Sequence, residues 1–165
     1  MQAQIHARID IRKIPAGALK AMMGFQAYLS ECGLDRGLID LICLRASQIN
    51  GCAYCIDMHS KDLRARGDTE QRLYLLDAWR ESPFYTERER AALAWTEAVT
   101  RLSGGDVPDE VYEQARRQFS SDELANLSLA VVAINSWNRL NIAFRTVPGS
   151  YQPGSVEKLV KSTGS

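Results

Sequence analysis

Asn50-Gly51-Cys52-Ala53-Tyr54-Cys55-Ile56-Asp57-Met58-His59 is the stretch on which the reading of this chain turns. Asn-Gly breaks the preceding pattern, and Asn is a favourable N-cap, so a helix is expected to start at Gly51 or Cys52. On that helix Cys52, Cys55 and His59 follow one another at spacings of three and four. At about 100° per residue they fall within roughly 60° of one face. Two thiols and a base on one helical face are the minimum equipment for disulfide chemistry. His59 is one of only two histidines in the 165 residues.

The pattern around this stretch is helical nearly throughout. Leu19, Met22, Met23, Gln26 and Leu29 recur at helical spacing over 15–32, with Pro15 suited to a first turn and Gly33 to a stop. A second helix is expected over about 35–49, with Leu38, Leu41, Ile42 and Ile49 on one side. The thiol helix should end at Gly67 in a left-handed cap. Asp68 or Thr69 can cap a fourth helix that reaches about Trp79. Thr86 with Glu89, and Ser120 with Glu123, read as capping boxes for helices over about 87–102 and 121–144. Pro108 opens another, over about 108–119. No strand-like alternation is long enough to compete. The expected fold is all-α, a compact bundle of about seven helices. It is expected to occupy 1–149 as one domain, followed by a polar C-terminal tail over 150–165.

The last helix carries two unusual segments. Leu124 to Ala133 is apolar nearly all round, which marks a buried helix and argues against a monomer. Asn135-Ser136-Trp137-Asn138-Arg139-Leu140-Asn141 follows directly. Amides and a guanidinium so close to buried chain need hydrogen-bond partners, from the fold, a subunit interface or an active site. Packing and interface roles are expected for Trp137, Asn138 and Arg139.

Composition removes some functions. Lys plus Arg equals Asp plus Glu at 20 each, so no electrostatic pull toward nucleic acid or an anionic membrane is expected. No run of 18 apolar residues appears, so no bilayer span is expected. Residues 1–13 lack the apolar core of a signal peptide, and the reading is a cytoplasmic protein. In a reducing compartment the four cysteines, Cys32, Cys43, Cys52 and Cys55, are not a disulfide framework. Cys32 and Cys43 stand among apolar residues and read as small buried hydrophobes. Zinc would need four ligands, and Asp40 or Cys43 could complete Cys52, Cys55 and His59. Three ligands on one continuous helix fit redox work better, so a zinc site is not expected.

The thiolate is the nucleophile, and a free cysteine is only about 3% ionised at neutral pH. Cys52 should lie in the first turn, where unpaired N–H groups and the helix dipole favour an anion. Cys55 lies one turn on, and His59 one turn beyond it, within reach of Cys55 at i, i+4. Lowering a thiol pKa by about two units raises the thiolate fraction roughly 25-fold but reduces its nucleophilicity about 8-fold, a net gain of about threefold. Protonating the oxygen that leaves a split O–O bond is worth more, about 10² to 10⁴. His59 is the candidate acid. An imidazole in that role needs an orienting carboxylate. Asp57 projects elsewhere on the same helix, whereas Asp40 on the preceding helix could face His59 across the Asn50-Gly51 turn.

These residues, in this order, resemble the alkylhydroperoxidase AhpD-like family of the carboxymuconolactone decarboxylase superfamily. The family motif is a Glu, twelve residues to a Cys, then X-X-Cys and three residues to a His. Cys52, Cys55 and His59 match it. So do the flanks, Leu44-Arg45-Ala46-Ser47-Gln48-Ile49-Asn50-Gly51 before the thiols and Ile134 to Leu140 with Phe144-Arg145 near the end. The resemblance covers about 19–149. Asp40 stands where the family has Glu. Its side chain is shorter by about 1.5 Å of reach, so a relay through it needs a water, a shifted helix or another carboxylate.

The resemblance implies a trimer or hexamer that reduces hydroperoxides with its cysteine pair, without metal, haem or flavin. The cycle would pass through a sulfenic acid, a Cys52–Cys55 disulfide and re-reduction by an external dithiol or thiol protein. Cys55 is expected to attack because it neighbours His59. Cys52, nearer the helix end and more exposed, would resolve. Two other readings stay open. One is a carboxymuconolactone-decarboxylase-type enzyme, which needs no thiol pair. The other is a non-catalytic oligomeric redox sensor or binding module, which the Asp40 departure keeps in play. Arg45 and Gln48 are expected to anchor the turn, and Tyr54 to be wall or core.

Overall fold

The computed structural model describes residues 5–156 and Lys158. Seven α-helices run over Ala16–Glu31 (α1), Arg36–Asn50 (α2), Ala53–Ala65 (α3), Glu70–Leu75 (α4), Glu87–Thr100 (α5), Asp109–Gln118 (α6) and Ser121–Phe144 (α7), with no strand among the described residues. Both expected capping boxes form, at Thr86 with Glu89 and at Ser120 with Glu123. Asp35 caps α2 by accepting from the Leu38 N–H at 2.9 Å. The fourth helix is shorter than expected. It stops at Leu75, and a 3-10 turn over Leu76–Glu81, with Ala78 out of helical geometry, carries the chain past Trp79.

At the centre lies α2, packed against α3, α5 and α7. Leu38 through Ser47 are ten consecutive buried residues. A helix buried all round normally reads apolar, yet this one carries Asp40 and Arg45, each only 4% exposed. Arg45 is satisfied by charge. Its Nε donates to Glu97 Oε1 at 2.8 Å, and its Nη1 reaches Gln48 Oε1 at 3.1 Å and also Asp77. Trp79 Nε1 donates to the same Glu97 oxygen at 2.9 Å, and Arg80 holds the other at 2.7 Å. Burial works to raise the Glu97 carboxyl; Trp79, Arg80 and Arg45 overcome it and hold the group below the usual range. Arg45 and Gln48 thus anchor α2 beneath the thiol turn.

One expectation needs correction. The 124–133 segment is not buried all round: Leu124, Leu127, Ala130, Val131 and Ala133 are buried, but Leu129 and Val132 are 37% and 49% exposed. The other helices reach α7 from the inner side alone, and one apolar stripe faces outward in the single chain. Of the residues expected as a tail, 150–156 and 158 are described, while 157 and 159–165 lie outside the described residues. Tyr151 is buried, and its hydroxyl donates to Asp62 at 2.9 Å. Residues 1–4 of the expected non-signal start also lie outside the described residues. No helix among the described residues is long and apolar enough to cross a membrane.

Removing one partner of a buried ion pair leaves the other charge stranded, at a cost of about 3–5 kcal/mol. Glu97→Ala should therefore destabilise the fold by that order in urea or thermal denaturation. Glu97→Gln, which keeps an acceptor for Trp79, should cost less.

Candidate active site

The site begins at the α2–α3 turn. Gly51 is left-handed, at φ 70° and ψ 31°, a conformation that disfavours a side chain. Its N–H goes to the Gln48 carbonyl at 3.2 Å, and the Cys52 N–H goes to the Ser47 carbonyl at 3.0 Å. This turn places Asn50 and Cys52 differently from the expectation. Asn50 is the last residue of α2 and caps nothing; its Nδ2 donates to Asn135 and Asn138 Oδ1, both at 2.9 Å. Cys52 is itself the N-cap of α3 rather than a first-turn residue. Its side chain makes no capping hydrogen bond of the kind an oxygen would make there.

That position sets the thiol chemistry. Donation from the Cys55 thiol, opposed by burial and assisted by the Cys55 N–H, the Asn138 amide and His59, brings the Cys52 thiol down to about 7. Cys55 moves the other way, because its proton is shared with the Cys52 sulfur and burial disfavours a second charge. The two thiols therefore differ in acidity, with Cys52 the more readily ionised of the pair. The expected difference in exposure is absent: Cys52 is 1% exposed and Cys55 0%. As a cap tucked between α2 and α7, Cys52 gains no access from lying near the helix end. Cys43 is buried as expected, and its thiol is pushed up by burial and then by the Asp40 charge.

Asp40 faces His59 across the turn. Its Oδ1 lies 3.5 Å from His59 Nδ1, an ion-pair separation longer than a good hydrogen bond, and its Oδ2 receives Arg66 Nε at 2.7 Å. Burial works to raise the Asp40 carboxyl; His59 and then Arg66 overcome it and lower the group. Sequence reasoning missed Asp62, three residues after His59 on the same helix. One ligand-type atom from each of Asp40, His59 and Asp62 lies within 4.8 Å of the others. A second carboxylate thus stands beside the shorter Asp40. The same trio is the group of side chains able to approach a cation, although Arg66 and Tyr151 already engage both carboxylates.

The polar run on α7 finds its partners inside the fold. Asn138 Nδ2 donates to Ser47 Oγ at 3.0 Å, and Asn141 Nδ2 donates to Cys55 Sγ at 3.4 Å. Arg139 only folds back onto Asn135. Cys55, His59 and Asn141 line a cavity of about 580 Å³, walled by apolar side chains such as Leu19, Met23, Ile39 and Ile134. Tyr54 and Trp137 are also wall. Ile11 closes one side and the 150–156 segment another. Cys52 is not part of the wall.

The carboxymuconolactone decarboxylase family model matches residues 16–98, from the start of α1 into α5, spanning Asp40, both thiols and His59. This chain belongs to that family. It is 42% identical over 136 residues to the uncharacterized protein YdfG of Bacillus subtilis, across 82% of this chain and 92% of the relative. Among solved structures, it is similar to a protein of unknown function from Agrobacterium tumefaciens, suggested to be the antioxidant defence protein AhpD. The two share 44% identity and a TM-score of 0.85 over 88% of this chain and all of that one. The debrominase Bmp8 shares the fold at 21% identity and a TM-score of 0.69, over 87% of this chain and 74% of that one. The fold is the AhpD-like member of the carboxymuconolactone decarboxylase superfamily.

Thiolate absorbance near 240 nm should rise with pH around a midpoint of about 7. In Cys55→Ala protein the sulfur loses its main donor, and the midpoint should move up toward the ordinary thiol range. Asp62 gives a second test. Burial first, then Asp40, raises its carboxyl above the unfolded value. The folded state therefore binds the proton more tightly, and the stability this group contributes is present at low pH and lost as pH rises through the raised value. Asp62→Asn should melt higher than the parent at pH 7, with the difference shrinking toward pH 3 in parallel thermal scans.

Proposed function

We propose that this chain is a thiol-dependent peroxidase that reduces alkyl hydroperoxides through Cys52 and Cys55, with His59 as acid and Asp40 as its orienting carboxylate. The observation that carries this is the opening of Cys55 and His59 onto one apolar cavity, while Cys52 sits behind Cys55 with a lowered thiol. Cys55 attacks the peroxide from the cavity wall and passes its proton to the Cys52 sulfur. His59 protonates the leaving oxygen, and Asp40 balances the charge on its ring. Cys52 then displaces water from the Cys55 sulfenic acid to form the disulfide. An external dithiol or thiol protein returns the pair to its reduced form. Both sulfurs are closed to solvent in this conformation, so re-reduction requires an opening. The 150–156 segment is the proposed cover, held to α3 by Lys61 on the Gly149 and Tyr151 carbonyls. The outward stripe of Leu129 and Val132 supports a homo-oligomer, with trimer or hexamer as the proposed states.

Purified protein should consume cumene hydroperoxide when supplied with dithiothreitol. Peroxide alone should remove two hydrogens from the intact mass and join both sulfurs in one tryptic fragment. His59→Gln should slow peroxide consumption at least about 10²-fold. Undiminished turnover in that variant would refute the acid role. Turnover of a lactone carboxylate by Cys52→Ser and Cys55→Ser proteins would point to decarboxylation instead.

A further inference from the structure

Asn141 lies on α7, outside the residues that the family model matches, yet its amide reaches a candidate reactive sulfur. Its orientation is fixed by its neighbours. One N–H goes to the Trp137 carbonyl at 3.0 Å, and the other points to Cys55 Sγ at 3.4 Å. A carbonyl only accepts, so the Trp137 contact decides which end of the amide is nitrogen. Oδ1 is then left buried with no hydrogen-bond partner among the described residues. The side chain is 5% exposed and lines the cavity beside Cys55 and His59. A buried acceptor without a donor is costly and calls for an explanation. Here the missing partner must be a donor, must sit beside a sulfur, and must enter through an apolar chamber. A hydroperoxide has one donor, the O–H of its terminal oxygen, and that oxygen is the atom a thiolate attacks.

We infer that Asn141 is a catalytic residue whose Oδ1 accepts the hydroperoxide O–H and holds the terminal oxygen over the Cys55 sulfur. The inference rests on the thiol-peroxidase reading. In the step it serves, a bond forms between Cys55 Sγ and the terminal oxygen as the O–O bond breaks. The Cys55 proton goes to the Cys52 sulfur. The second oxygen leaves toward protonated His59 and departs as an alcohol. The sulfur is oxidised by two electrons and the peroxide is reduced by the same two. The terminal oxygen keeps its hydrogen, so the sulfenic acid O–H still faces Asn141 Oδ1. Water then leaves when Cys52 closes the disulfide.

The test compares two electrophiles at the same sulfur. A hydroperoxide offers an O–H to Asn141, whereas iodoacetamide reacts with the thiolate and needs no such acceptor there. Single-turnover rates of reduced full-length protein with cumene hydroperoxide and with iodoacetamide would be measured at one pH, with tryptic mass spectrometry to assign the product to Cys55. Asn141→Leu, with the same side-chain branching and heavy-atom count, should lose about 10²-fold with peroxide and only roughly threefold with iodoacetamide, the loss expected from a higher thiol pKa. Asn141→Ala serves if the leucine variant does not fold. Asn141→Asp keeps an acceptor but puts a negative charge beside the sulfur, so its alkylation should suffer at least as much as its peroxide reaction. Equal losses with both electrophiles in Asn141→Leu, or an unchanged peroxide rate, would overturn the inference. Wild-type protein that forms no sulfenic acid or disulfide with any hydroperoxide would instead overturn the peroxidase reading itself.

Discussion

The left-handed residue at Gly51 is the constraint on which the site depends. It lets α2 end and α3 begin with only two intervening residues, Gly51 and Cys52, while the Ser47 carbonyl still receives the Cys52 N–H. Because α3 starts at a fixed point, Cys52 is the cap and Cys55 and His59 follow on one face. A shift of one residue would rotate that face by about 100° and separate His59 from Asp40. The antiparallel return across so short a turn is also what brings Asp40 within 3.5 Å of His59, nineteen positions later in the chain. Local backbone conformation and long-range chemistry are set by the same torsion angles.

The central helix makes this arrangement rigid at an electrostatic cost. Asp40 and Arg45 are buried on α2, and each is tolerated because an opposite charge is held against it. Arg66 and Glu97 are those charges. Around Glu97 the balance is complete, with donors on both oxygens from three side chains. Around Asp40 it is less complete. Asp62 adds a second carboxylate with a raised proton affinity, and the His59 ring has only a long contact to Asp40. This less complete balance lies in the first turns of α2, where Asp40 faces His59, rather than around Arg45 nearer the thiol turn.

Local patterns made most of the fold legible. Both capping boxes form as the sequence predicts, because each requires only residues three positions apart to find one another. Asp40 could be placed opposite His59 because a tight helical turn leaves few alternatives. Errors arose where tertiary contacts outweighed local preference. Asn50 is a good N-cap by type, but Asn135 and Asn138 of α7 draw its amide away. The fourth helix fails near Ala78, where Trp79 must turn inward to reach Glu97. Asp62 was readable from its spacing to His59. Asn141 was visible as a polar residue needing a partner, but its partner is a sulfur 86 positions away, and no periodicity encodes that contact.

The proposed division of labour between the sulfurs answers a difficulty that any thiol nucleophile faces. Acidifying the attacking thiol by two units would give it only about a threefold advantage, because nucleophilicity declines as basicity does. Here the acidified thiol is Cys52, and Cys55 occupies the cavity wall. In the proposed peroxidase reaction Cys52 works as the base at the start of α3. It draws the proton from Cys55 at the moment of attack, so Cys55 reacts with the strength of a poorly acidic thiol. The gain comes from where the proton goes, and it depends on burial keeping water from supplying another. In that proposed reaction the 1% and 0% exposures serve the proton transfer and at the same time oppose access by a reductant.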